Sequence, residues 1–402
     1  YFDNETDYTI NTITLNTQED QRVFNASDFV FNNNNTHIRL RTTVSTLTMN
    51  AIRVTNFSYS NENLSDDQSL SNMRYSFVVL ESEDIVYVSS AIDLQNMTER
   101  KHYVLTQDID LDGFDWVPYE FIGLFDGQNF TISNLRIFET VTESGNHYFG
   151  LFTQINGGSV SNLQMVDTYV FITYNYENWS EVYAGSLAGR IINYANISNI
   201  NVEADVSISS STNDVSTYAG LLTGYSVNAT FDRIATSGNV DAKNRVGGII
   251  GYMTQSKLTY AYTTANFSVT EGNGGGIAGE AHQSELSYVY SRSVFTSNEY
   301  RYHTAGIVGY NSYSTFNHVF NQSKRLNTNA YFRAIDGNNQ NNSITWKTDV
   351  YAVSNGTTYI DEYYFTRISE ADLLIYLNNN WSLDIWNISS IYPTLKNLPT
   401  LS

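Results

Sequence analysis

The chain has 402 residues and no cysteine. That absence excludes a disulfide framework, a cysteine–zinc site and a thiol nucleophile. It also removes the usual covalent staple of a secreted protein, without naming a compartment. Proline occurs only 3 times. Basic residues are scarce: 21 Lys and Arg stand against 41 Asp and Glu, for a net charge of −20 and a sequence pI near 4.5. A general nucleic-acid binder needs a basic face to meet phosphates, so nucleic acid is not an expected partner. Adsorption to an anionic membrane is disfavoured for the same reason. No apolar run approaches the roughly 20 residues that span a bilayer, so no membrane insertion is expected in this segment. The chain opens on Tyr1 without a signal-peptide pattern, which reads as a processed piece of a longer precursor.

Hydrophobic residues make up 41% of the chain and aromatics 14%, enough for a core and against global disorder. Asn, Ser, Thr and Tyr dominate, with 31 tyrosines and 24 glycines. Few prolines with many aromatic and β-branched residues describe β-structure with tight turns.

The chain repeats itself. "YAGSLAG" (183–189) returns as "YAGLLTG" (218–224), "RVGGIIG" (245–251), "GGGIAG" (274–279) and "HTAGIVG" (303–309). The closing glycines Gly189, Gly224, Gly251, Gly279 and Gly309 are spaced by 35, 27, 28 and 30 residues. "HYFGLFT" (147–153) and "FIGLFDG" (121–127) are degenerate earlier copies. About nine or ten residues after each closing position comes an alternating segment, such as "TISNLRIF" (131–138), "SVSNLQMV" (159–166), "NISNINV" (196–202), "KLTYAYTT" (257–264) and "ELSYVYS" (285–291). Two motifs locked in phase, with a period of 27–35 residues and no helical pattern, predict a coil of a parallel β-solenoid. In this reading the middle aliphatic of each heptad, Leu222 for example, points into the core. The flanking glycines supply a tight bend, positive φ and close backbone approach. Ser161–Asn162 and Ser198–Asn199 sit at corners and satisfy exposed backbone groups.

The small-glycine-aliphatic repeat is similar to the GLUG motif of extracellular β-helical surface proteins. The lead-in "YVLTQDIDLDGFDWVPYEFIGLFDGQNFTISNLRI" (103–137) and the exit "DIWNISSIYPTLKNLP" (384–399) resemble the ends of such repeats. The likeness covers roughly 86–400, with uneven coil lengths and unusual Asn and Tyr content as departures. It implies a surface or secreted protein: an adhesin, a surface-layer-like component, or a non-catalytic module appended to a large enzyme.

The expected fold is therefore all-β. An N-terminal antiparallel, sandwich-like β domain spans 1–85 and a GLUG-type solenoid spans 86–340. A C-terminal coil and cap spans 341–402, with a helix at 369–379. Ser369 is the expected N-cap of that helix, with Asp372 reaching back. A solenoid ends in an open edge that templates further pairing, and the helix with the Trp381/Trp386 segment is expected to cover it.

Candidate chemistry is sparse. His37, His102, His147, His282, His303 and His318 show no ligand spacing, the last three falling at different coil phases. Asp108, Asp110 and Asp112 imitate the first half of a calcium loop, but Tyr119 stands where that loop needs a Glu. Ile109 and Leu111 between them suit a strand with its carboxylates outside. Acids across 183–320, including Asp214, Asp232, Asp241, Glu271, Glu280, Glu285 and Glu299, recur at no common offset, and no hydrolase motif occurs. No cofactor and no catalytic activity are expected.

The abundant motif is the N-x-[ST] sequon, at Asn4, Asn25, Asn34, Asn56, Asn63, Asn96, Asn129, Asn178, Asn196, Asn228, Asn266, Asn321, Asn341, Asn355, Asn380 and Asn387. A chain this rich in Asn, Ser and Thr also yields sequons by composition, and they become glycans only in a glycosylating compartment. Tyr260, Tyr262, Tyr288 and Tyr290 fall at matching coil phases. They read as a stacked ladder within the fold, or as an exposed ladder that binds sugar rings. The sequence thus predicts an extracellular, N-glycosylated structural or adhesive surface protein. Its expected partners are glycans, cell surfaces or further copies, added head-to-tail by the strand at 8–16. The rival reading is a polysaccharide-binding or polysaccharide-degrading β-helix.

Overall fold

A computed structural model describes residues 85–399 apart from 213, 297–302, 327–331, 338–346 and 354–365. From the first 84 residues it describes six short strands, without their side chains. The chain divides into two compact units, Tyr1–Glu83 and Asp84–Ser402.

The second unit is a parallel β-solenoid with three faces. Its sheets hold 17, 7 and 6 strands in the described residues, and coil stacks on coil in parallel register. The repeat read from sequence is the coil. Leu187, Leu222, Ile249, Ile277 and Ile307, the middle aliphatics of successive heptads, are all fully buried. They lie in one column of the interior, and each such burial contributes about 1.5–3 kcal/mol. Alternate residues of the long sheet fill the same core. Val170, Val206, Val240 and Phe267 stack inward at one register position, all essentially inaccessible.

Each coil turns at two corners that require a left-handed backbone. One column of such residues runs Asn162, Asn199, Arg233, Tyr260, Tyr288, His318 and Asp349, with φ between 52 and 57°. The other includes Asn193, Asn228, Gln255, Gln283 and Tyr313. Asn tolerates this region best, and the expected corner asparagines are where the sequence placed them. A serine follows the second corner in three coils. Ser284 Oγ accepts from Ser256 N at 3.2 Å, and Ser314 Oγ accepts from Ser284 N at 3.1 Å. These contacts satisfy backbone donors that the turn removes from the ladder.

The heptad glycines differ from expectation in one respect: none has positive φ. Their requirement is space alone. A Cβ on Gly251 would lie 2.7 Å from Ala219 N on the six-stranded sheet, and one on Gly279 would lie 2.6 Å from Val246 N. The glycines let the six- and seven-stranded sheets meet backbone to backbone at a sharp corner. Tyrosines line its outside. Tyr148, Tyr183 and Tyr218 stack along one wall at 4.9 and 4.4 Å between centroids. Tyr225, Tyr252 and His282 stack along the other at 5.1 and 4.9 Å. Burial raises the Tyr183 and Tyr218 phenols well above their ordinary pKa, so they stay neutral hydrogen-bond donors to Glu181. In the same corner Glu280 is only 6% exposed. Its carboxylate meets Arg245 Nε at 2.8 Å, outside hydrogen-bond alignment, His282 Nε2 at 3.1 Å and Asn273 Nδ2 at 2.8 Å. Burial pushes its pKa up, but these partners together outweigh burial and hold it below the ordinary value.

The helix Glu370–Asn380 forms as read, with Ser369 as N-cap accepting from Asp372 N at 3.1 Å. Its preceding strand, Thr366–Ile368, pairs with Lys347–Val353, and the segment beyond straps the outer side of the long sheet. Leu373, Leu377, Trp381 and Trp386 bury against Tyr290, Phe320 and Val353, a cluster separate from the solenoid interior. Tyr290 Oη donates to Pro393 O at 2.6 Å, and Asn201 Nδ2 to Pro399 O at 3.0 Å. The aromatic column Tyr262, Tyr290 and Phe320, stacked at 5.2 and 4.6 Å, supplies the apolar surface that the strap covers.

In the first unit, Thr9–Leu15 pairs with Thr36–Thr42 in parallel, not antiparallel. Ala51–Val54 with Met73–Ser76 and Phe57–Tyr59 with Gln68–Leu70 are the antiparallel pairs.

Candidate functional site

The long sheet carries its polar chemistry on the outside, in columns set by the coil register. One outward column runs Arg136, Tyr169, Asp205, Asn239, Asn266. The next runs Phe138, Phe171, Ser207, Asp241, Ser268. The intervening residues are the inward valines and Phe267 described above. Alternation on a pleated strand therefore builds core and site from the same segments. Gly238, at φ 118°, keeps the third coil in line. A Cβ there would lie 1.9 Å from Ala204 O.

The first two coils make an aromatic platform. Phe138 and Phe171 pack edge to face at 5.5 Å, and Tyr169 meets Phe171 at 6.0 Å. Phe138 remains 61% exposed and Phe171 37%. Arg136 lies over the Tyr169 ring at 4.1 Å. The next coils are polar. Asp205 accepts from Asn239 N at 3.0 Å and from Asn239 Nδ2 at 2.7 Å, and Asn266 Nδ2 donates to Asn239 Oδ1 at 3.0 Å. Ser207 Oγ donates to Asp241 Oδ2 at 2.9 Å. Two cavities, of about 320 and 300 Å³, adjoin here and share Ser209 and Asp241. Phe171, Asp205 and Asn239 line the first; Lys243 and Glu271 help line the second. Lys243 Nζ reaches Glu271 at 3.1 Å and Thr212 O at 3.3 Å, so its charge is already met.

Asp241 titrates above the ordinary carboxylate value. Crowding by the protein raises it, the Ser207 hydrogen bond opposes this, and the Asp205 charge raises it further. The side chain still faces solvent, so this is a local field and no measure of stability. Asp205 and Asp241 thus form the acid pair on neighbouring coils that sequence spacing failed to show.

The sequence-predicted positions fall as follows. Asp108, Asp110 and Asp112 point outward, while Ile109 and Leu111 are buried. Asp108 accepts from Thr131 N at 2.7 Å, and Asp110 from Asn134 Nδ2 at 2.8 Å. Among the described residues no group of three or more His, Asp or Glu is arranged to hold a metal. His282 and His303 flank Tyr310, while His318 stacks on Tyr288 on another face. Tyr260, Tyr262, Tyr288 and Tyr290 do stack, under Trp381 and Trp386, so they are a covered ladder. Among sequons, Asn96, Asn129, Asn178, Asn196, Asn266, Asn380 and Asn387 are exposed and Asn228 half-buried. Asn321 is a correction: it is fully buried and accepts from Ser323 N at 2.7 Å, leaving no room for a glycan in the folded coil. Asn4, Asn25, Asn34, Asn56, Asn63, Asn341 and Asn355 lie outside the described residues.

No family model and no curated protein matches the chain. Solved structures do. One, named IgA1 Protease, superposes with a TM-score of 0.51 at 14% identity, covering 81% of this chain and 26% of its own. Another, a candidate immunoglobulin A1 protease from Bacteroides ovatus, gives 0.43 at 16% identity, with 78% and 92% covered. The shared feature is the fold, a parallel β-helix. The expectation of no catalytic activity is corrected by the first comparison: the solved structure that shares this fold is named for an enzyme. This chain spans about a quarter of the first neighbour's length.

Proposed function

We propose that the solenoid is the recognition scaffold of an extracellular, N-glycosylated surface protein and that it holds glycan in the groove between Phe138 and Asp241. The observation that carries this reading is the joining of an exposed aromatic pair to two adjoining cavities lined by Asp, Asn and Ser. Sugar rings present an apolar face to aromatics and hydroxyls to carboxylates and amides. Seven exposed sequons support passage through a glycosylating compartment. Head-to-tail assembly by strand addition would use an edge of Thr9–Leu15, and electron micrographs with only monomers at every concentration would refute it.

A glycan array tests the reading, with Phe171→Ala and Asp241→Asn beside the parent chain. Binding lost in both variants is the expected result; a parent that binds no glycan refutes it. The same panel, analysed for new reducing ends, tests catalysis: turnover abolished by Asp205→Asn or Asp241→Asn makes the pair catalytic. Glycopeptide mass spectrometry after expression in a glycosylating host is expected to show occupancy at exposed sequons and none at Asn321. A second reading takes the solenoid as the substrate-holding part of a longer protease, favoured by its match to a quarter of a chain so named. Release of immunoglobulin A1 fragments by the full protein, unaffected by Phe171→Ala, would favour it.

A further inference from the structure

The groove is built from strands of successive coils, and this fixes its direction. Phe138, Phe171, Ser207 and Asp241 are register partners on four consecutive strands. Neighbouring strands lie about 4.8 Å apart, so the column is about 14 Å long and runs perpendicular to the strands. The first cavity lies along this column from Phe171 to Asp241, and the second adjoins it obliquely, one coil on and two or three residues further along the strands, at Lys243 and Glu271. Ring stacking is available only at the Phe138/Phe171 end and carboxylate contacts only at the Asp205/Asp241 end. A single sugar reaches one end or the other. The charge of Lys243 is met by Glu271, and the exposed Arg136 stands at the aromatic end over Tyr169, so the polar end presents carboxylates rather than cations to an acidic sugar.

We propose that the ligand is a linear, uncharged glycan of several units that lies along the solenoid axis and bridges both ends. This rests on the glycan reading above and adds its length, direction and charge. Four coils of contact make affinity depend on chain length, because each added unit engages a further coil until the column is spanned.

Calorimetric titration of the purified chain with cello-oligosaccharides and N-acetylglucosamine oligomers of two to six units tests this, with oligogalacturonides as the acidic counterpart. Affinity is expected to rise about tenfold or more from dimer to hexamer. Phe171→Ala and the isosteric Asp241→Asn should each reduce the hexamer's advantage, from opposite ends. Circular dichroism confirms that both variants fold. Equal affinity for dimer and hexamer overturns the bridging geometry while glycan recognition stands. Preference for oligogalacturonides overturns the charge assignment. Binding of none of these oligomers overturns this inference, and the glycan reading then stands or falls on the wider array.

Discussion

Replacing Gly251 by Ala tests the physical basis of the repeat. The added Cβ would lie 2.5 Å from Gly224 O, 2.7 Å from Ala219 N and 3.0 Å from Ala219 O. All three are backbone atoms of the preceding coil, so no side chain can swing aside. Ordinary contact starts near 3.4 Å, so Gly224, on the neighbouring strand of the same sheet, must withdraw by about 0.9 Å and Ala219, on the six-stranded sheet, by about 0.7 Å. The corner is tied by Leu222 N→Ile249 O at 3.0 Å and Ile249 N→Ile277 O at 2.9 Å. Overpacking costs about 1–3 kcal/mol, and losing one or two of these hydrogen bonds adds about 1 kcal/mol each. The expected destabilisation is about 3–5 kcal/mol, measured by urea denaturation followed by far-UV circular dichroism. Gly113→Asn is the control. Gly113 has φ 70° and nothing within 4 Å of its Cβ position, and Asn tolerates that backbone. It should cost under about 1 kcal/mol. A Gly251→Ala chain within about 0.5 kcal/mol of the parent would refute close sheet approach as the reason for the heptad.

Glu280→Gln is expected to cost about 3 kcal/mol at neutral pH, since it leaves Arg245 without its charge partner. The folded pKa of Glu280 lies below its ordinary value of 4.5. Its stabilisation is therefore fully present above that pH and fades as pH falls through the folded value. Parent and variant should converge in acid; a gap unchanged by acid titration contradicts the assignment. Trp386→Ala removes a fully buried ring packed 4.7 Å from Trp381 and 6.2 Å from Tyr290. It should cost about 3–5 kcal/mol. Limited proteolysis should then cut within 370–399 while the solenoid's circular dichroism persists, and loss of both together would show that the strap is integral to the coils.

Only part of the site was legible in the sequence. Phe138 closes a segment recognised as a strand, yet nothing in the strand pattern marks an outward Phe as exposed. Asp205 and Asp241 sit 36 positions apart on coils of unequal length, so their nearness is hidden until the register is known. The 35-residue first spacing, against 27, 28 and 30 later, displaces every outward position from its neighbour in number while the strands keep them side by side.

The sequence by itself determined the coil and its inward column, because burial demands an aliphatic such as Leu222 in every turn. That demand repeats, and repetition is visible without coordinates. The left-handed corners were legible only at Asn162 and Asn199, since Arg233, Tyr260 and Tyr288 hold the same place in later coils. Tertiary structure alone decided what the outward residues do. Solvent imposes no period on them, so their pairing follows from the stacking register, and the same register placed the C-terminal strap on the tyrosine column and left the Phe138–Asp241 groove open.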